Sequence, residues 1–175
     1  GALAITKAYD GSILLGTWEN GLCRINDDGS FETLLNPSIS GTAHHIHTLF
    51  AQSPQTVLIG CDDGLISFNP QTGEWHVVNE HAEGRASLSE KFIYSIMRDH
   101  EGGLWFGTFY GGANYLSPVG ERFSNYTCRD RVSGFCGNVI SRFCEDNNNN
   151  LWIASDDGGL NCMSVSSHKF ISYPG

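Results

Sequence analysis

The feature that most constrains this sequence is that it repeats itself. The stretch GGLWFGTFYGG at residues 102–112 returns as NNLWIASDDGG at 149–159. Trp105 recurs as Trp152, Phe106 as Ile153, and the pair Gly111-Gly112 as Gly158-Gly159, while the two residues ahead of each glycine pair change freely. Counting from the residue two before the strand-end Gly or Ala gives the series Leu14, Leu58, Trp105 and Trp152, with steps of 44, 47 and 47 residues. The next segment repeats as Leu22/Ile25, Leu65/Phe68, Ala113/Leu116 and Leu160/Met163, and a further one as FETL, WHVV, FSNY and FISY from Phe31, Trp75, Phe123 and Phe170. Ahead of each glycine-rich core lies one more apolar segment, with Ile46, Ile93 and Ile140 in strict 47-residue register; the first copy, LAITKAYDG, fits that register loosely.

Each unit is thus four short apolar segments separated by Gly, Asp, Asn and Pro, which predicts a four-stranded antiparallel meander. The chain carries 21 glycines against 5 prolines, in keeping with many turns closed at positive φ. No segment sustains a helical period, so helix content is predicted to be very low. One such sheet cannot bury both its faces, but sheets stacked radially can, and four strands with a period of about 40–50 residues are the pattern of propeller blades. The predicted fold is all-β, with four four-stranded antiparallel blades at about 1–36, 44–80, 91–127 and 138–174, forming part of a larger propeller.

The pattern SLSEKFIYSIMRDHEGGLWFGTFYGGANYLSP, with ERFSNY following, resembles the two-component regulator propeller repeat: an Asp-x-x-Gly turn, then L-W-I-G-T, a glycine pair and a short strand. It is similar in particular to the sensor regions of hybrid two-component histidine kinases in polysaccharide-degrading bacteria. All four units share the resemblance. The third and fourth share it most fully; in the first two Leu14 and Leu58 replace the family's Trp, Cys61 replaces its Thr, and the second unit's glycine turn is one residue short. The resemblance implies an extracytoplasmic, periplasmic sensor segment, with histidine kinase and response-regulator parts elsewhere on the polypeptide, across a membrane, and an oligosaccharide as the ligand.

Charge narrows the partners. A formal net charge of −9 argues against nucleic acid, because phosphate binding needs clustered Lys and Arg. No apolar run approaches the roughly 18 residues that span a bilayer, so any membrane contact is expected through regions outside this segment. The six cysteines show no CxxC and no Cys/His pair at zinc spacing, and most fall in predicted strands as small buried residues. The exception is the run Cys128, Cys136, Cys144, where a loop would bring the first two within reach of a disulfide in an oxidising compartment.

In a four-stranded blade the b–c turns and the crossovers into the next blade share one face. That rim collects the variable tips Trp18-Glu19-Asn20, Asp62-Asp63, Phe109-Tyr110 and Asp156-Asp157, with the crossovers NEHAEGRASLSEK and CRDRVSGFCG. Rim loops on a rigid scaffold are where binding residues concentrate. The candidate ligand-binding set is Trp18, Phe109, Tyr110, Asp62, Asp156, Arg129 and Arg131: aromatics to stack on sugar rings, carboxylates to accept from hydroxyls, arginines to pair with an acidic sugar. The plainer reading is that the aromatics cap neighbouring blades and that Asp before Gly is ordinary turn chemistry. His45 and His47, read as a strand, share a face at a spacing of two beside His44, but no third metal ligand is visible, and no metal or other cofactor is expected.

No nucleophile elbow or phosphate loop occurs, and the Asp pairs sit at equivalent turns, which repetition explains without catalysis; no catalytic residue is assigned. Two alternatives stand beside the sensor reading, a protein-docking propeller scaffold and a propeller lyase or glycosidase. Self-association is expected, through apolar residues on the outer faces of the first unit (Leu3, Ile5, Leu14, Leu22) and the fourth (Trp152, Ile153, Leu160, Met163), pairing with neighbouring blades or a second copy.

Overall fold

The computed structural model describes residues 1–78, 87–119, 122–129, 133–164, 167 and 169–175. It contains four separate four-stranded antiparallel sheets, each ordered as its strands occur in the chain. Two compact units divide them: Gly1–Asn79 with Lys91–Ile93, and Glu80–Glu90 with Tyr94–Gly175.

In the first unit, β1 (Ala2–Lys7), β2 (Ile13–Thr17), β3 (Leu22–Ile25) and β4 (Phe31–Leu35) make the first sheet, and β5 (Thr48–Ser53), β6 (Thr56–Cys61), β7 (Gly64–Phe68) and β8 (Trp75–Val77) the second. Between them lies one turn of helix, α1 (Pro37–Ser40), which the sequence reading did not anticipate. Its signals are local and not periodic: Asn36 caps it by accepting from the Ser38 amide, Pro37 opens it, and Gly41 closes it at φ 71. Leu14, Ile46, Ile59 and Ile66 are fully buried at its core. Gly16 in β2 lies so close to Ile46 that a Cβ there would run into its side chain.

The second unit repeats the plan. β9 (Ile93–Arg98), β10 (Leu104–Thr108), β11 (Ala113–Leu116) and β12 (Phe123–Tyr126) form the third sheet; β13 (Ile140–Glu145), β14 (Leu151–Ser155), β15 (Gly159–Met163) and β16 (Phe170–Tyr173) form the fourth. Trp105, Ile140, Leu151 and Ile153 anchor its core, and Gly107 meets Ile140 as Gly16 meets Ile46. Small residues at this b-strand position let the next sheet's leading isoleucine seat against the backbone, which is why the isoleucines keep strict register.

Of the outer-face residues named from sequence, Leu14, Leu22 and Ile153 are instead wholly buried within their own units, whereas Leu3, Ile5 and Leu160 are exposed. Among the described residues no helix is long and apolar enough to cross a membrane.

Candidate functional site

The repeat's frame explains what its motif residues do. Asp99 Oδ1 accepts from the Gly103 amide at 2.7 Å, and its Oδ2 accepts from the Trp105 indole at 2.9 Å. Asp146 does the same in the fourth sheet, accepting from Trp152 Nε1 at 3.0 Å and from the Asn150 side chain and amide. The indole and amide donors lower the Asp146 carboxyl to about 2. The turn aspartate and the strand tryptophan are therefore one device. Where Leu14 and Leu58 replace the tryptophan, the place of the aspartate is taken by Ala8 and Gln52.

The tip is closed by the last residue of the b strand. Thr108 Oγ1 donates to the Gly112 carbonyl at 2.9 Å and accepts from the Gly111 amide at 2.9 Å; Thr17 holds its tip in the same way, Ser155 Oγ accepts from the Gly158 amide at 3.2 Å but donates to Asp157, and Cys61 donates its S–H to the Gly64 carbonyl at 3.3 Å. Burial pushes the Cys61 thiol up to about 12, so it stays protonated and suited to that donor role. The second glycine of each pair, Gly112 at φ 73 and Gly159 at φ 76, turns the chain into the next strand.

A second device holds each crossover, and the sequence reading missed it. Asn114 and Asn161 sit 47 residues apart in the middle of β11 and β15, both fully buried. The Asn114 carbonyl oxygen accepts from the Ser89 amide at 2.8 Å and its amide donates to Ser89 Oγ at 2.8 Å. Asn161 grips the backbone of Cys136 in the same two-point way, accepting from its amide at 2.9 Å and donating to its carbonyl at 2.6 Å. A polar residue at the same place in two otherwise apolar strands was the available signal. The register neighbours in the second and first sheets are Ile66 and Cys23, so the hook belongs to the second unit.

On this support the tip of the third sheet opens onto a cleft of about 570 Å³, lined among the described residues by Tyr110 and Gly111 from the tip, Ser89 and Asn138 from crossovers, and Thr127, Cys128 and Arg129 from the exit of β12. Tyr110 is two-thirds exposed, at 67%. Its amide donates to Glu90 at 3.0 Å, and its ring meets Phe109 edge-on at 4.3 Å. Phe109 lies on Tyr94 in a stacked pair at 5.2 Å, so it supports the exposed ring from behind. Two residues expected from sequence at a ligand surface, Tyr110 and Arg129, thus line one cleft. Arg131 lies outside the described residues.

In the fourth sheet Asp156 is exposed, and its amide donates to the Val139 carbonyl. Its neighbour Asp157 is the engaged one: Oδ1 accepts from the Asn138 and Val139 amides at 2.8 and 3.0 Å and from Ser155 Oγ, and Oδ2 accepts from the Asn138 side chain. Burial pushes this carboxyl up, but those donors outweigh it and hold it well below the ordinary carboxylate range. It ties the crossover to the tip.

The tip of the second sheet, in the first unit, is organised differently. His44 donates its amide to Asp63 at 2.7 Å and its Nδ1 pairs with the same carboxylate at 2.8 Å. Asp62 lies between two imidazoles, 2.6 Å from His45 Nδ1 and 2.7 Å from His47 Nε2. Trp18 covers the cluster, stacked on His45 at 3.9 Å with its edge toward His47. The strand assumed for these histidines is absent: β5 begins at Thr48, and left-handed Ala43 (φ 67) and His45 (φ 48) bend the approach so that all three rings reach the tip. Burial raises the Asp62 carboxyl, and the bonds from His45 and His47 outweigh that, leaving it below its ordinary value. Here the aspartates do more than shape a turn. Among the described residues no group of three or more ligand-type side chains is set to hold a metal ion.

The family model described as "Two component regulator propeller" matches residues 87–110 and 134–157. Over those two stretches the chain is similar to the two-component regulator propeller repeat. Both matched stretches run from a crossover through the Asp–Trp brace to the tip, the parts whose geometry is most regular. A histidine kinase from Formosa agariphila is 29% identical over 94 residues, a match covering 51% of this chain and 7% of the kinase. The extracellular domain of a hybrid two-component system from B. thetaiotaomicron superposes with a TM-score of 0.81 at 23% identity, over 98% of this chain and 24% of that one. Virginiamycin B lyase from Staphylococcus aureus superposes with a TM-score of 0.66 at 14% identity, over 99% of this chain and 55% of the lyase. At these identities the two structures share the fold, and the chain spans a small part of the kinase it matches.

Proposed function

We propose that this chain is a ligand-recognition segment of the extracytoplasmic, periplasmic sensor of a hybrid two-component signalling protein, and that its ligand is an oligosaccharide held at the cleft of the third sheet's tip. The observation that carries the reading is the cleft itself: an exposed tyrosine backed by stacked Phe109 and Tyr94, and Arg129, both lining an opening sized for a few sugar rings. A tyrosine face stacks on the apolar face of a pyranose, the Ser89 and Thr127 hydroxyls and the Asn138 amide can exchange hydrogen bonds with sugar hydroxyls, and a guanidinium pairs bidentately with a uronate or sulfate. The family of the repeat and the kinase and hybrid-system relatives support the signalling context. Binding would bias how sensor regions pack, or how the segment meets neighbouring blades or a second copy, and the bias would reach a kinase elsewhere on the polypeptide.

Of the alternatives, a docking scaffold predicts a protein partner at the same rim, and a lyase predicts turnover. An oligosaccharide array probed with the wild-type chain and with Tyr110→Ala separates them. The sensor reading expects retention of a defined class of glycan that the variant loses. No glycan retained, or retention unchanged in the variant, contradicts it.

A further inference from the structure

Cys128 and Cys136 stand eight positions apart, and their Sγ atoms lie 3.0 Å from each other. That is about 1 Å beyond the ~2.05 Å of a disulfide. The two thiols have different supports. The Cys136 backbone is gripped at both amide and carbonyl by buried Asn161. The crossover leading to it is tied down as well, the Ser133 carbonyl accepting from the Phe170 amide and the Gly134 carbonyl from Ser172 Oγ at 2.8 Å. The Cys136 carbonyl also rests so close to Gly158 that a Cβ there would clash. Cys128, by contrast, is exposed at the exit of β12, beside Arg129 on the cleft wall.

We infer that Cys128 and Cys136 are an oxidisable pair whose disulfide fastens the Arg129 wall of the cleft to the crossover that Asn161 holds. At this distance either thiol can donate its S–H to the other. That contact, with a bond from the Gly137 amide, lowers the Cys128 thiol below the ordinary value and raises that of Cys136. Cys128, the more exposed of the two, is the attacking thiolate. It attacks one sulfur of a small-molecule or protein disulfide, forming a mixed disulfide and expelling the oxidant's other sulfur as thiolate. Cys136, on losing its proton, attacks Cys128 Sγ, forms the internal bond and expels the oxidant's remaining sulfur. Two electrons pass to the oxidant, which leaves as two thiols carrying the two protons. The four other cysteines offer no such pairing in the structure: Cys23 and Cys61 are buried, and no sulfur contact joins Cys144 to Cys162 among the described residues. Formation of the bond in the cell rests on the extracytoplasmic reading; its formation in vitro does not.

The test takes the 175-residue chain through oxidised glutathione or dithiothreitol, then acid quench, denaturing alkylation, intact mass and peptide mapping. The expected result after oxidation is that two of the six cysteines escape alkylation, a cross-linked peptide joins Cys128 to Cys136, and amide exchange over residues 127–129 slows several-fold relative to the reduced protein. In Cys128→Ser and in Cys136→Ser every remaining cysteine alkylates after dithiothreitol, and neither variant forms an internal link after oxidation. Full alkylation of the oxidised wild type, a stable glutathione adduct left on Cys128, or a link to Cys144 or Cys162 overturns the pairing. Unchanged exchange at 127–129 overturns the fastening. Because no glycan enters the measurement, its outcome is independent of whether the oligosaccharide reading stands.

Discussion

The tips of the second and third sheets occupy the same place in the repeat and present opposite chemistry. In the first unit Asp62 and Asp63 are engaged by His45, His47 and His44, and Trp18 lies flat across the cluster, so the polar capacity of that tip is satisfied from within the molecule. In the second unit Phe109 and Tyr110 form no ion pair, and the tip leaves an exposed ring on a cleft beside Arg129. The frames beneath differ in step with the tips. The second unit has the Asp–Trp brace and the asparagine hook; the first has leucine, alanine and glutamine in the brace positions and apolar residues in place of the hook. The two sheets differ by the residues at the tip itself: aromatics leave the third sheet's tip open, and aspartates let the second sheet's tip be held by histidines, as Asp157 is held by Asn138 and Val139 in the fourth.

The largest expected effect lies in the frame. Trp105 is 1% exposed and enclosed by Tyr115, Tyr126 and Phe143, so Trp105→Ala should cost about 3–5 kcal/mol in denaturant unfolding. Trp152 makes the same bond to an aspartate but is half-buried, with Tyr173 as its stacked partner at 6.0 Å. Its truncation should cost about half as much. Equal losses would mean that the brace, and not the enclosure, carries the energy.

Next comes the hook. Asn161→Ala leaves the Cys136 amide and carbonyl without their buried partner, and should cost about 2–3 kcal/mol. It should also raise amide exchange through residues 133–137. A loss confined to stability, with exchange there unchanged, would remove the hook from the account.

Acid sensitivity should divide the brace by sheet. The Asp146 carboxyl is lowered from 3.8 to about 2 by the Trp152 indole, the Asn150 side chain and amides, so its contribution is complete above the ordinary value and is lost as pH falls from there through about 2. Asp146→Asn should therefore flatten the fall in thermal midpoint over that interval. Ala8→Gly, at the matching position of the first sheet, carries no ionisable group and should leave the slope unchanged. The smallest expected effect is Tyr110→Ala: a ring exposed at the tip should change stability by no more than about 0.5 kcal/mol.

Much of this was legible in the sequence, because a 47-residue period in Trp105/Trp152 and Ile93/Ile140 reports directly on strands that must repeat to be buried. The tip positions were legible for the same reason, as the residues that vary inside a constant frame. The asparagine hooks were hidden because Asn114 and Asn161 interrupt apolar strands at a single position, and only the structure shows the backbone they grip. The histidine cluster was hidden because left-handed Ala43 and His45 break the strand periodicity on which the spacing argument rested. Helix α1 was hidden because four residues are too few to show a period.

Whether the open tip, and not the stapled one, is the ligand surface is decided by calorimetric titration of an array-positive oligosaccharide into four proteins: wild type, Tyr110→Ala, Arg129→Ala and Trp18→Ala. The account predicts an affinity loss of about tenfold or more, near 1.4 kcal/mol, for the first two variants, and wild-type affinity for Trp18→Ala. Undiminished binding by Tyr110→Ala and Arg129→Ala, with the loss appearing in Trp18→Ala, would contradict it.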